Sequence, residues 1–341
     1  MKYTKQITLV GACFLALSTT TFAQTIDKSQ AVGKGLYELT YNSGDNGVYV
    51  ASVVDFKNKE GIIYKLNGNT LAVESEINVQ GNPVFGIAVN EKTQKLYGTN
   101  TITNAMTVVN LKTGEVKVIT GTHEKGHNRE IAIDERTNTI YASDTQEEGR
   151  IWIINGNNDT LEGYIENTGV FTAGLAFDAK TNQLYATNMG TNEVAIIDPK
   201  TKKVVKKFAS GGESPINVAL DEVGRRLFVT NSSTGLTILH ADSGELLKVV
   251  KFKGGSLGVK YAPTVNKIVL ANRESGKTAI VDGKSYEVVT ELETGSHPNT
   301  VAVNVKTGTA YVTNKTKRMP KEEGKEPQVD TKGDIVSKIQ L

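Results

Sequence analysis

A strand-like phrase recurs seven times along this chain, and the repeat restricts the fold more than any other feature. The copies are Tyr49-Val-Ala-Ser52, Tyr97-Gly-Thr-Asn100, Tyr141-Ala-Ser-Asp144, Tyr185-Ala-Thr-Asn188, Phe228-Val-Thr-Asn231, Val269-Leu-Ala-Asn272 and Tyr311-Val-Thr-Asn314. Their last residues lie 48, 44, 44, 43, 41 and 42 positions apart. A short apolar segment precedes each copy, from Leu39-Thr-Tyr41 through Ile87-Ala-Val89 to Val301-Ala-Val303. Another follows most copies, as in Val108-Val-Asn110 and Ile280-Val-Asp282. A turn such as Lys112-Thr-Gly-Glu115 and a fourth alternating segment such as Val204-Val-Lys-Lys-Phe208 complete the unit. Val, Ile, Tyr and Thr dominate these segments and helical spacing is absent, so they read as strands.

Four antiparallel strands in a unit of roughly 43 residues form the blade of a β-propeller. One blade cannot bury both of its faces. It must stack between two neighbours, and a closed ring of seven leaves few exposed edges. The expected fold is therefore an all-β, seven-bladed β-propeller over residues 24–341. Ala88, Ala132, Ala176, Ala219 and Ala302 recur on the innermost strand, where blades crowd near the axis. The last unit runs out after three strands: Thr300–Val305, Thr309–Asn314 and Asp334–Gln340. The segment Lys28–Val32 is free to supply the fourth, so an N-terminal strand is expected to close the ring in the last blade.

Residues 1–23 have the form of a secretory signal. Lys2 and Lys5 precede an apolar run from Ile7 to Leu17, and Thr21-Phe22-Ala23 offers a cleavage site before Gln24. The expected location is the periplasm or the exterior. Val10-Gly11-Ala12-Cys13 loosely fits a lipid-attachment site, but the apolar run continues past Cys13, which makes lipid anchoring the lesser expectation. Cys13 is the sole cysteine, so a chain cleaved after Ala23 has no disulfide, thiol nucleophile or Cys-ligated metal. The chain carries 39 basic and 37 acidic residues, and losing Lys2 and Lys5 leaves 37 of each. A generic electrostatic attraction to nucleic acid is thus not indicated.

The phrase Tyr311-Val-Thr-Asn314 spells the signature of the YVTN family of β-propeller repeats, and the other six copies are near variants. The resemblance covers residues 24–341. Ala31-Val-Gly-Lys-Gly35, Asn167-Thr-Gly169, Lys284-Ser-Tyr-Glu-Val-Val289 and His297-Pro-Asn299 also look like stretches of an exported propeller of this type. The resemblance implies a periplasmic seven-bladed propeller without known catalysis. It also implies single-stranded DNA binding, to which proteins of this type have been linked.

In a propeller, the loops entering the innermost strands and those leaving the second strands open on one face. The entering segments hold Phe85, His123, His127, Arg129, Phe171, Ser214, His297 and Asn299; the leaving ends include Arg273 and Lys315. The residue before each inner apolar triplet reads Glu38, Gly86, Glu130, Gly174, Asn217, Gly258 and Thr300 around the ring, and Lys260 stands where five other blades carry Ala. The expected ligand-binding set is therefore Glu38, Phe85, His127, Arg129, Glu130, Phe171, Asn217, Lys260, Arg273, His297, Asn299 and Lys315, gathered in one polar cup at the channel mouth. The competing reading is that Arg129, Lys260 and the two Glu simply neutralise one another. The Asn that closes each phrase reads as structural, through turn geometry and bonds to nearby backbone. Trp152, between two Ile on a third strand, reads as core. The long charged loop 315–333 reads as flexible, with a lid over the same face as its functional alternative.

No nucleophile elbow, His-Glu-x-x-His or phosphate-binding loop is present. His123 and His127 have the spacing of two helical ligands but lie in a Gly-flanked loop, so no metal and no cofactor is expected. The leading expectation is a monomeric, non-enzymatic binding module with no membrane span, for an unknown small ligand or protein partner. Single-stranded DNA binding, with stacking on Phe85 or Phe171, is the first alternative. A propeller lactonase or lyase using Glu38, Glu130 and Asn217 around a cation is the second.

Overall fold

The computed structural model describes residues 24–317 and 329–341. The proposed signal segment 1–23 and the centre of the loop 315–333 lie outside the described residues. Seven four-stranded antiparallel sheets form a ring of blades. The first blade contains Leu36–Asn42, Gly47–Asp55, Glu60–Asn67 and Val73–Asn78, ordered from the axis outward. Five more blades follow over 87–120, 128–169, 172–209, 215–251 and 259–292. The seventh has His297–Asn304, Thr309–Lys315 and Ile335–Gln340, and its outermost strand is Thr25–Ala31 from the other end of the chain. That strand pairs antiparallel with Ile335–Gln340, from Thr25 opposite Gln340 to Ala31 opposite Ile335. Closure is as expected, with the closing strand beginning three residues earlier than the sequence suggested. Asp334 adds a clamp: its carboxylate accepts the N–H groups of Gly35 and Leu36, fastening the last blade to the first.

The core is divided among the interfaces. Seven apolar clusters each draw on two neighbouring blades. The cluster that closes the ring packs Leu36, Val48, Leu66 and Leu71 of the first blade against Ala302, Tyr311 and Val336 of the seventh. Strand alternation sends half of each blade's apolar side chains to one neighbour and half to the other, so no blade owns a core. Trp152 is fully buried between the second and third blades.

The recurring phrase works as a set of inter-blade fasteners. The third-position hydroxyl accepts an N–H from its own inner strand and donates to a carbonyl of the next blade. Thr99 accepts from Gly86 N and donates to Arg129 O at 2.8 Å. Ser143 donates to Ala173 O at 2.5 Å, and Thr313 donates across the closure to Tyr37 O at 2.8 Å. The first and sixth blades carry Ala51 and Ala271 at this position and lack the latch. The closing Asn side chains are buried and most bond backbone carbonyls: Asn100 those of Asn82 and Pro83, Asn188 that of Thr168, Asn231 that of Val229 and Asn314 that of Val312. Turn geometry plays no part, because positive φ belongs to a different set of residues that includes Asn46, Asn104, Asn138 and Asn266. Thr99→Val removes both latch bonds and strands a buried N–H and a carbonyl. We expect a loss of about 2–4 kcal/mol in urea denaturation; an unchanged midpoint would show that the hydroxyl fastens nothing.

Near the axis, Gly86, Gly174 and Gly258 alternate with larger residues for a steric reason. A Cβ at Gly86 would strike the Arg129 carbonyl, and one at Gly174 would strike the Asn217 backbone. The ring therefore alternates backbone-only positions with Glu38, Glu130, Asn217 and Thr300, whose side chains have the axis to themselves.

Candidate functional site

Two cavities meet at this ring. One, of about 190 Å³, occupies the axial channel and is lined by Glu38, Glu130, Asn217, Lys260 and Thr300 together with inner-strand residues such as Ala88 and Ala302. The other, of about 370 Å³, opens on the face of the entering loops and is lined by Tyr37, Glu38, Phe56, Phe85, His127, Arg129, Arg273, Asn299 and Lys315, among others. Glu38 belongs to both. The expected single cup is thus two chambers, with Glu38 between them, because the layer of Glu130 and Asn217 narrows the axis. Glu130 accepts a hydrogen bond from Asn217 Nδ2 at 3.0 Å, which ties two blades together across the channel.

Phe171 and His297 do not line either chamber, which corrects their placement. Phe171 sits at positive φ in the loop before Thr172–Asp178, its N–H held by the Gln146 carbonyl, and is 41% exposed. Its blade presents only Ala173 at the level where the others reach the cavity. His297 starts the seventh inner strand two residues further out than Asn299 and lies opposite Lys315 in register. It shares the face of Arg129 but not the wall. His123 is turned away against Tyr164 and Glu166, apart from His127 on the cavity rim. Among the described residues there is no cluster of three or more His, Cys, Asp or Glu that could hold a metal ion.

The walls of the larger chamber follow from the ring geometry. One residue before Glu38 and its equivalents, the inner strands present Tyr37, Phe85, Arg129, Ala173, Ile216, Leu257 and Asn299, and all but Ala173 reach the cavity. From the second strands, the residue after the closing Asn adds Thr101, Arg273 and Lys315. Phe56 comes from the tip of the first blade's central hairpin and is 54% exposed. It meets Phe85 edge-on at 5.7 Å, and Phe85 meets Tyr37 at 4.7 Å. The Lys315 ammonium lies 3.0 Å from the centre of the Tyr37 ring. Sequence reasoning missed Tyr37 and Phe56.

The cations on this face have no direct ion-pair partner: among the described residues, no carboxylate lies within ion-pair distance of Arg129, Arg273 or Lys315. The buried Nε atoms of both arginines have no hydrogen-bond partner. Arg273 has only the Asn299 side-chain oxygen, which its guanidinium meets at short range. At the opposite end of the ring the cations are matched: Arg225 with Asp178 and Asp242, Arg226 with Asp221, Lys95 with Asp159 and Lys267 with Asp282. Arg129 and Lys260 make no direct ion pair with Glu38 or Glu130, although the charges of both act on Glu38 through the channel.

The titration of the cavity groups reports the same imbalance. Burial, then the adjacent Glu130, push the Glu38 carboxyl up to about 8, against the pull of Arg129 and Lys260. Its side chain retains some channel exposure while protein surrounds it on every side, so desolvation dominates. Desolvation, then Arg273, lower Lys315 to about 7. Desolvation and Arg129 lower both Arg273 and His127 from their ordinary values. Because the folded state binds the Glu38 proton more tightly than the unfolded chain, its contribution to stability is complete below about 4.5 and is lost as pH rises to about 8. Lys315 acts in the other direction, with stability recovered as pH rises from about 7 toward 10.5. Glu38→Gln, which keeps a neutral side chain, should raise Tm at pH 9 by on the order of 5 °C and change it little at pH 5. Equal shifts at both pH values would contradict the assignment.

Seven four-stranded blades around a channel, with a cationic and aromatic chamber on the loop face, define a seven-bladed β-propeller. The chain belongs to the YncE family: it is 34% identical over 333 residues to the uncharacterized protein YncE of Salmonella typhi and 33% identical to that of Escherichia coli strain K12, in each case covering 94% of both chains. A shorter similarity, 24% over 148 residues, links 41% of the chain to 32% of antigen Lp49 of Leptospira interrogans. No family model matches the chain. Among solved structures, a chain in the crystal structure of a mitotic checkpoint complex matches with a TM-score of 0.75 over 100% of this chain and 99% of that one; at 12% identity it speaks for the propeller fold alone.

Proposed function

We propose that this protein is an exported, non-enzymatic binding module that captures an organic anion bearing a flat apolar group in the chamber of Arg129, Arg273 and Lys315. The observation that carries this reading is the convergence on one aromatic-walled cavity of three basic side chains that have no carboxylate partner among the described residues. Two guanidiniums whose buried Nε atoms have no hydrogen-bond partner, and a desolvated ammonium, cost stability wherever no ligand offsets them. An anion supplies the missing charge, and Tyr37, Phe56 and Phe85 supply a face for a planar group. Export rests on the signal-like segment 1–23, and an N-terminus found upstream of Gln24 in the mature protein would remove that part.

A second reading, single-stranded DNA, is favoured by one feature: Phe56 extends the aromatic wall out of the cavity to the open surface, where a neighbouring base would stack. The two readings separate in titrations of thymidine monophosphate, phenyl phosphate and a short single-stranded oligothymidylate. The small-anion reading predicts comparable affinity for all three. Affinity for the oligomer at least about tenfold higher, falling steeply with added salt, would establish the second reading in its place. Absence of binding by any of them would exclude both.

A further inference from the structure

We propose that Lys315 is a carbonyl-condensing amine, forming an imine with a 2-oxo acid whose carboxylate is held by Arg129 and Arg273 and whose apolar substituent lies against Phe85 and Phe56. The proposal rests on the anion-binding reading of the chamber and deepens it by naming the ligand class. The geometry separates Lys315 from the chain's other lysines. It stands at the end of the seventh blade's second strand, projects into the chamber, and places its nitrogen over the Tyr37 ring, with no carboxylate or carbonyl partner among the described residues. Lys95 is engaged by Asp159 and the Gly156 carbonyl, Lys267 by Asp282, and Lys338 by Asp27 and the Asn69 carbonyl, while Lys260 lines the axial channel outside this chamber.

An amine that is desolvated and set beside other cations is the usual form of a nucleophilic lysine. Burial and Arg273 bring Lys315 to about 7, so a large share is neutral at physiological pH, whereas a solvated lysine is almost wholly protonated. Glu38 lines the same chamber and holds its proton at neutral pH. The reaction needs no oxidant or reductant. The Lys315 nitrogen adds to the carbonyl carbon, the carbon–oxygen bond breaks, and the oxygen leaves as water with the two hydrogens of the amine. A 2-oxo acid suits the chamber because its carboxylate and carbonyl are adjacent, as are the guanidiniums and the ammonium. The aromatic wall favours an aryl over a methyl substituent.

The test uses the full mature protein with phenylpyruvate and sodium cyanoborohydride at pH 7.5, followed by peptide mapping. One reduced adduct is expected on Lys315, at least about tenfold above that on any other lysine. It should be absent in Lys315→Arg and much reduced in Arg129→Gln/Arg273→Gln. Phenyllactate, which has the carboxylate and ring but no carbonyl, is the companion probe, read by its effect on Tm. An adduct spread evenly over surface lysines, or none at all, while phenyllactate raises Tm, overturns the imine and leaves the anion site standing. Failure of both compounds to raise Tm or to label Lys315 overturns the imine and the anion site together. The wild-type peptide map is decisive even if a variant folds poorly.

Discussion

Deletion of residues 24–33 is expected to lower the melting temperature by about 10 °C. The closing strand makes a six-pair ladder with Ile335–Gln340, joined by the Val32 N–H bond to the Asp334 carbonyl. At about 1 kcal/mol for each lost bond, the ladder alone is worth about 5 kcal/mol. Little of the strand's own side-chain surface is buried, so the main consequence is exposure of the neighbouring strand, whose Val336 and Ile339 belong to the two interfaces of the seventh blade. An open edge is also a template for pairing with another chain. The truncated protein should therefore self-associate, and a synthetic peptide of residues 24–33 added in trans should restore part of the lost Tm. A truncated monomer that melts with the wild type would mean that the ring closes without this strand.

The second large effect has opposite signs on stability and binding. Arg129→Gln with Arg273→Gln removes two cations that pair with no carboxylate among the described residues, and desolvation disfavours the charge of Arg273. Stability should rise, by on the order of 5 °C in Tm, as it does when a site kept for its ligand is relieved of unpaired charge. Affinity for phenyl phosphate should fall by about a hundredfold, in line with the loss of two charge-assisted contacts. A structural role for these arginines gives the reverse pattern, with a lowered Tm. Arg226→Gln at the opposite end serves as the contrast: it breaks a satisfied pair with Asp221 and a contact with Tyr286, and it should lower Tm without touching binding.

The seven phrases made the ring, its blade count and its closure legible, because each blade must repeat the same strand alternation to pack on its neighbours. Arg129, Arg273 and Lys315 were legible for the same reason: their positions within the repeat put them on one face. The depth of each residue along the axis was harder to read. Glu130, Asn217 and Lys260 look like partners of Arg129 in sequence, yet a step of one residue along an inner strand moves a side chain from the larger chamber to the channel. Tyr37 occupies the position equivalent to Arg129 and Phe85, and aligning that position in all seven blades would have found it. Phe56 left a different trace. The interval of 48 residues after the first phrase is the longest, and the extra length lies in the hairpin that carries Phe56 into the site. Phe171 misled because an aromatic in an entering loop can point outward when its backbone takes positive φ.

On the proposed reading, Arg129, Arg273 and Lys315 converge on the loop face to hold an anion. Calorimetric titration of phenyl phosphate into the wild type and into Arg129→Gln/Arg273→Gln tests it most directly. Saturable binding at one site in the wild type, lost in a double variant that melts at or above the wild-type temperature, is the predicted result. No heat of binding in the wild type, or equal affinity in the two proteins, would contradict it.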